Sequence, residues 1–429
     1  MKSAAGWSAT EACARALDDA DALAHWRTGF SIPRGTDGAE LTYLCGHSLG
    51  LAPRAARAHV LQELEDWEQL GVRGHEHARR DWIGYAERLQ APLAILAGAA
   101  PQEVVAMNSL SVNLHLLLAS FYRPTAARRR ILIEGGAFPS DRHVVCSQLR
   151  WHGYNPASTL LELAPRAGEQ TLRSEDIEQA IAVHAGELAL VLWPGVQYRT
   201  GQSFDLARIA HAAHRAGAQA GFDLAHSIGN LPLALHDSGA DFAAWCSYKY
   251  LNGGPGAIGG AFVHERHAQD QALPRLSGWW THEAATRFRM SAELKIAPGA
   301  AGWQISNPPV LSSAPLLAAL EQFSGAGMAA LRAKSLRLTG YLEYCLAQLC
   351  GSDIAVLTGA DPQQRGCQLS IRVRGSSERA SGVHAALDAS GVVTDWREPD
   401  TIRLAPVPLY NRFGDALRAA QMLALALRR

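Results

Sequence analysis

Lysine is almost absent from this chain. Four residues, Lys2, Lys249, Lys295 and Lys334, stand against 36 arginines in 429 residues. Arginine stays protonated in proteins, so a chain that draws its positive charge from arginine keeps few amines able to act as nucleophile or base. Net charge is lacking as well: 40 basic side chains balance 40 acidic ones, which leaves no basic footprint for nucleic acid. None of the seven cysteines (13, 45, 146, 246, 345, 350 and 367) forms a C-x-x-C pair. Neither a zinc site nor a disulfide framework is therefore indicated. Long apolar runs are missing too. The stretch L-H-L-L-L-A-S-F is too short to span a membrane, and the acids of E-A-C-A-R-A-L-D-D-A-D break any signal-peptide core. The expectation is a cytoplasmic protein in a reducing compartment, with no metal and no nucleic-acid or membrane partner.

What is present is a regular alternation. Residues 8–28 read as an amphipathic helix, 41–53 as a short strand breaking into a loop, and 54–70 as a helix ended by Gly71. The polar, aromatic piece V-R-G-H-E-H-A-R-R-D-W-I-G-Y reads as a loop over a site or a bend. From residue 103 strand-like and helix-like segments alternate for some 160 residues, among them R-I-L-I-E-G-G, E-L-A-L-V-L-W and A-Q-A-G-F-D as strands. This pattern predicts an α/β fold with a mostly parallel sheet covered on both faces, whose ligands bind beyond the carboxyl ends of the strands. After a lapse near Trp279 and Trp280, a helical stretch over 312–349 leads into a compact α+β tail with strands at 367–373, 392–396 and 401–407. The expected domains are a large one at 70–310 and a smaller one formed by 1–69 with 311–429.

The chemistry concentrates between Asp223 and Gly260. An Asp at the end of an apolar strand is followed by His226, then by Lys249 between Tyr248 and Tyr250, then by a glycine-rich turn. A lysine among aromatics can lose its proton and form a Schiff base, and an acid can pair with a pyridinium nitrogen; together they suggest a pyridoxal phosphate (PLP) enzyme. The alternatives are an Asp capping its own turn, a His satisfied by backbone and a snorkelling surface lysine. G-P-G-A-I-G at 254–259 matches a dinucleotide fingerprint, but it opens a strand rather than a helix, so we read it as a turn. Leu110 and Ser111 begin an apolar helix whose amides suit a phosphate, an ordinary serine cap being the alternative. Arg403 stands in an otherwise apolar strand, I-R-L-A-P-V, and needs an anion: a substrate carboxylate or an internal acid.

Taken in order, C-G-H-S-L-G-L, R-G-H-E, M-N-S-L-S-V-N-L-H, F-P-S-D, G-F-D-L-A-H-S-I-G-N, W-C-S-Y-K-Y-L-N-G-G, L-S-G-W-W-T-H-E, I-S-N-P-P and I-R-L-A-P-V-P-L-Y-N resemble the kynureninase family nearly from end to end. The resemblance implies a fold type I, aspartate aminotransferase-like PLP enzyme. It implies hydrolysis of L-kynurenine to anthranilate and L-alanine in tryptophan catabolism. It makes Lys249 the Schiff-base lysine, Asp223 the partner of the ring nitrogen with His226 beside it, and Phe138 the residue stacked on the ring, with Asp141 in the same loop. Leu110, Ser111 and Tyr248 would hold the phosphate. Trp279 and Asn307 would reach in from the second subunit of a homodimer. Ser48, His75 and Asn307 would line the aryl end, and Arg403 would clamp the α-carboxylate. The chain departs from the family at Ser111 (often Thr), His47 (Asn in relatives) and Trp280 (Phe in some members). The last two leave the choice between kynurenine and its 3-hydroxy form open.

Overall fold

The architecture follows from where the apolar strands can be buried. The computed structural model describes residues 6–268, 270 and 272–428. Strand β1 (Thr42–Tyr43) is short, and β2 (Val104–Ala106), β3 (Arg130–Glu134), β4 (Leu160–Leu163), β5 (Leu188–Pro194), β6 (Gln219–Asp223), β7 (Phe242–Trp245) and β8 (Gly260–Val263) make a seven-stranded sheet in the order β2-β8-β7-β6-β5-β3-β4. The run from β4 through β3, β5 and β6 to β7 is parallel, and β8 is antiparallel to both β7 and β2. Such a sheet needs cover on both faces, and β5 displays why. Val191 and Trp193 enter one apolar core while Leu190 and Leu192 enter the other, as a two-residue repeat dictates.

The longer helices are α1 (Glu11–Asp19), α2 (Arg54–Leu70), α3 (Tyr85–Ala97), α4 (Leu110–Phe121), α5 (Pro139–Trp151), α6 (Ser174–Val183), α7 (Leu206–Arg215), α8 (Val310–Ala326), α9 (Met328–Cys350), α10 (Ser377–Ala389) and α11 (Phe413–Leu427). Helix α2 stops where expected, because Gly71 takes φ +54°, which a side chain would resist. The helix expected over 8–28 is shorter: α1 ends at Asp19, where the Asp21 carboxylate accepts from the Leu23 N–H at 3.0 Å and turns the chain into a separate 3₁₀ segment at Ala24–Gly29. Helix α3 and strand β9 (Ile354–Val356) were not foreseen. Strands β10 (Leu369–Val373), β12 (Asp395–Arg397) and β13 (Thr401–Leu404) join β9 in an antiparallel sheet, while β11 (Val392–Val393) pairs with β1. The segment expected as one strand over 392–396 is thus two, serving different sheets. A separate core joins this region to α9, α10 and α11 through Leu342, Leu346, Leu369, Leu387 and Leu423.

Candidate active site

The parallel strands deliver their carboxyl ends to one edge, and the titratable groups meet there. Glu134 ends β3, Asp223 ends β6, and α4 and α5 start at the same edge. A cavity is lined by Leu110, Ser111, Phe138, Asp141, Asp223, His226, Tyr248 and Lys249, eight residues singled out from the sequence, together with Glu134 and Tyr198. Lys249 is 8% exposed. Its Nζ lies 5.7 Å from the centre of the Phe138 ring and 5.9 Å from that of Tyr248. The other described lysines are committed elsewhere: Lys334 pairs with Asp21 at 2.7 Å, and the exposed Lys295 lies 3.9 Å from Glu283. Lys2 lies outside the described residues.

Burial governs the charges. It raises Asp223, opposed by Lys249 and by the Ala225 N–H, which donates to Asp223 Oδ1 at 2.7 Å. It raises Asp141 further, and the neighbouring Asp223 carboxyl adds to the effect. Two buried carboxyls this close cannot both ionise, so Asp141 is the neutral partner. Among the described residues its Oδ1 has no hydrogen-bond partner, and neither has His226 Nδ1. Burial and the nearby Lys249 hold His226 well below its usual range, so it is neutral. Burial also pushes the Tyr248 phenol upward, so it carries its proton. Ser109, the residue before α4, provides no side-chain cap, and Ser111 Oγ is 2.8 Å from Ser140 Oγ. An uncapped helix start beside two hydroxyls is a ready anion site.

Arg403 occupies a neighbouring position on β13. It is buried and donates to Asp395 Oδ2 at 2.6 Å and to the Tyr198 carbonyl at 2.7 Å. Of the two anions that its sequence setting allowed, the internal acid is therefore present. Tyr198 joins this clamp to the cavity, its ring set edge-on to Phe138 at 5.2 Å. His47 is fully buried, with Nε2 4.0 Å from Asp395 and its ring 6.4 Å from that of His226. The half-buried Ser48 sits in the loop that passes under Tyr248: the Gly50 N–H donates to the Tyr248 carbonyl at 2.8 Å. A Cβ on Gly50 would lie 2.3 Å from the Lys249 carbonyl, so only glycine allows this approach.

Comparison with known proteins decides the family. A family description, the kynureninase C-terminal domain, matches residues 331–423. Kynureninase from Myxococcus xanthus is 55% identical over 414 residues, covering 96% of each chain. That from Stenotrophomonas maltophilia is 56% identical over 400 residues, 93% of this chain and 94% of its own. That from Xanthomonas oryzae is 57% identical over 406 residues, 95% of this chain and 96% of its own. The chain belongs to the kynureninase family. Among solved structures, a C-DES mutant with glycine covalently linked to its PLP cofactor superposes with a TM-score of 0.74 at 20% identity, over 90% of this chain and 97% of that one. A cysteine desulfurase from Escherichia coli gives 0.74 at 18%, over 95% and 98%. At that identity the likeness concerns the fold, which is of type I as expected.

Three expected site residues stand apart from the Lys249 cavity of this kynureninase-family chain. His75, Trp279 and Asn307 line a second hollow with Trp82, Trp280 and Phe288. Trp279 is 49% exposed, its indole N–H bonded to the Arg287 carbonyl at 3.3 Å. Trp280 is buried, with the Arg287 guanidinium 4.1 Å from its ring centre. The structure also adds residues that sequence reasoning passed over. Asp395 was read as part of a strand, although an acid eight positions before a buried arginine on antiparallel partners was a usable signal. Glu134 lies inside the strand expected at R-I-L-I-E-G-G, and Tyr198 lies in an irregular loop with no pattern to announce it.

Proposed function

We propose that this chain hydrolyses the Cβ–Cγ bond of L-kynurenine to give anthranilate and L-alanine, with PLP bound at Lys249. The observation that carries the reading is the Lys249 cavity in a chain at least 55% identical to kynureninases over nearly its whole length. The residues fit the cofactor. A buried amine beside aromatic rings, an uncapped helix start, and the buried Asp141 Oδ1 and His226 Nδ1, unbonded among the described residues, suit a ligand with an aldehyde, an anion and polar ring atoms.

When bound, PLP supplies an electron sink for the charge left at the substrate's Cα. Lys249 would hold the cofactor's aldehyde, and its amine would be the base that takes the substrate's Cα proton. Asp223 would keep a proton at the ring nitrogen, and Asp141, His226 and Phe138 would help to hold the ring. The amides at Leu110 and Ser111, with the Tyr248 hydroxyl, hold the phosphate. Arg403 binds the α-carboxylate; Asp395 holds its guanidinium in a fixed orientation, so little side-chain freedom is lost on binding. Water adds to the γ-carbonyl, and Tyr248, protonated in its buried setting, gives its proton to the departing Cβ.

The aryl end of the substrate meets Ser48, His75 and Asn307 in this reading, with Trp279 and Asn307 supplied by a second copy. The half-exposed indole of Trp279, in a hollow distinct from that of Lys249, supports a homodimer with shared sites. The domain division at 70–310 against 1–69 with 311–429 is likewise our proposal. A separate small core supports it, although Leu316, Leu320 and Phe323 of α8 pack in the larger one. Among the described residues, no helix is long and apolar enough to cross a membrane. Seven free cysteines support a cytoplasmic setting. A desulfurase chemistry would need an accessible thiolate, but Cys367 is fully buried and burial pushes its thiol up to about 12. The test is to incubate the purified protein with L-kynurenine and, separately, its 3-hydroxy form, following anthranilate-type fluorescence and alanine. Release of both products is expected, and none from either substrate would overturn the reading.

A further inference from the structure

We propose that Glu134 is a further positioning residue of this site: a neutral carboxylic acid that holds Asp141 and thereby keeps the Asp141–Asp223 pair at one negative charge. The inference rests on the reading of the cavity as a PLP pocket.

Glu134 ends β3 and lines the same cavity as Asp141, Asp223 and Lys249. The backbone around it is held: the Gly135 N–H donates to the Leu163 carbonyl at 2.6 Å, and the Ala137 N–H to Glu134's own carbonyl at 3.2 Å. Its side chain is held on one side only: Gln197 is a hydrogen-bond neighbour that offsets part of the effect of burial. Glu134 is 4% exposed, yet Oε2 has no hydrogen-bond partner among the described residues. The nearby Gln197 amide is engaged by the Gly136 carbonyl at 3.1 Å and by the N–H groups of Arg199 and Thr200. An orphaned carboxyl oxygen on β3 and an orphaned Asp141 Oδ1 on α5 therefore share one enclosed space. Burial of this kind is costly unless the two groups serve each other or a ligand.

Charge decides how they do so. The titratable groups that line the cavity with Glu134 are Asp141 from α5, Tyr198, Asp223 from the end of β6, His226 after it, and Cys246, Tyr248 and Lys249 after β7. Three carboxylates against one ammonium would leave two uncompensated charges in a dry pocket, so protons are retained instead. Burial pushes Glu134 up to about 8, and Glu134 adds to the upward shift of Asp141. A neutral Glu134 can donate its O–H toward Asp141, and Asp141 its own toward Asp223. One carboxylate then remains, opposite the cation. Ionised Glu134 would add a second negative charge to a pocket that must also accept a phosphate.

Full-length protein stripped of cofactor, as unaltered chain, Glu134→Gln and Glu134→Leu, is titrated with pyridoxal 5′-phosphate from about pH 6 to about pH 9, reading visible absorbance. The unaltered protein should lose about tenfold in affinity toward the alkaline end beyond what Glu134→Gln loses. Glu134→Gln, a neutral donor at every pH, should stay within about threefold of the unaltered protein at neutral pH, and Glu134→Leu should bind about tenfold more weakly throughout. The cofactor's own titration is common to all three and cancels. Apoprotein melting supplies a second readout. Folded Glu134 keeps a proton that the unfolded chain releases in the ordinary carboxylate range, so its contribution to stability declines with rising pH up to about 8. Glu134→Gln should therefore gain on the unaltered protein as pH rises. Parallel pH curves for the unaltered protein and Glu134→Gln, or equal impairment of Gln and Leu, would overturn the proposal while leaving the PLP reading intact. No saturable binding by the unaltered protein would overturn both.

Discussion

The two hollows of this molecule are built from opposite materials. The Lys249 cavity sits at the carboxyl edge of the parallel sheet and holds five acidic or basic side chains that are almost fully buried, Glu134, Asp141, Asp223, His226 and Lys249, with carboxyl and imidazole atoms left unbonded among the described residues. The hollow at His75, Trp279 and Asn307 is aromatic and open, rimmed by Val72 at 80% and Phe288 at 54% exposure. Burial is what gives the first its chemistry, because desolvation moves protons and strengthens every charge contact. The second lacks burial, and an apolar face of this kind is completed only by whatever covers it. One region is thus a buried cluster of ionisable groups. The other is an aromatic surface with several exposed members.

The comparison can be broken most sharply at Lys249. Lys249→Ala should remove the visible absorbance of bound cofactor and lower turnover by about ten-thousandfold or more. If the absorbance persisted, Lys295 or Lys334 would have to replace it, although both already have carboxylate partners. Tyr248→Phe should cost about a hundredfold in kcat while leaving that absorbance largely intact. Unchanged turnover would remove Tyr248 from the protonation step. The smallest effect belongs to the open hollow: Trp279→Ala should raise KM about tenfold, with kcat less affected. Mixing decides whether that surface belongs to a neighbour's site. Lys249→Ala chains reassembled with a Trp279→Ala, Asn307→Ala double variant should recover about a quarter of full activity, because half of the sites in mixed dimers are intact. Recovery no greater than in unmixed samples would place each site within one chain.

Much of the buried cluster was legible in advance because its residues lie at the ends of regular elements. Asp223 ends a buried strand, Leu110 and Ser111 open an apolar helix, and lysine scarcity singled out Lys249. Arg403 was legible as a residue in need of an anion, but its choice of Asp395 was not, since strand pairing between β12 and β13 sets that contact. The helix expected over 8–28 failed at Asp21 for a local reason: a short acid can bond its own backbone and turn the chain. Glu134 escaped notice because an acid at a strand end is ordinarily solvated. Only its burial in the folded cavity takes its water away.

By itself, the sequence determined the alternation of strands and helices, the family, and the few residues whose chemistry is rare in this chain. Apolar period and terminus signals act over a turn or two, so they survive without knowledge of the fold. The tertiary structure decided which charges lose their water and which partners they then find. Asp141 meets Asp223, Arg403 meets Asp395, and Glu134 keeps one carboxyl oxygen unbonded among the described residues. Those outcomes depend on burial and on contacts across distant segments, and proton positions follow from them.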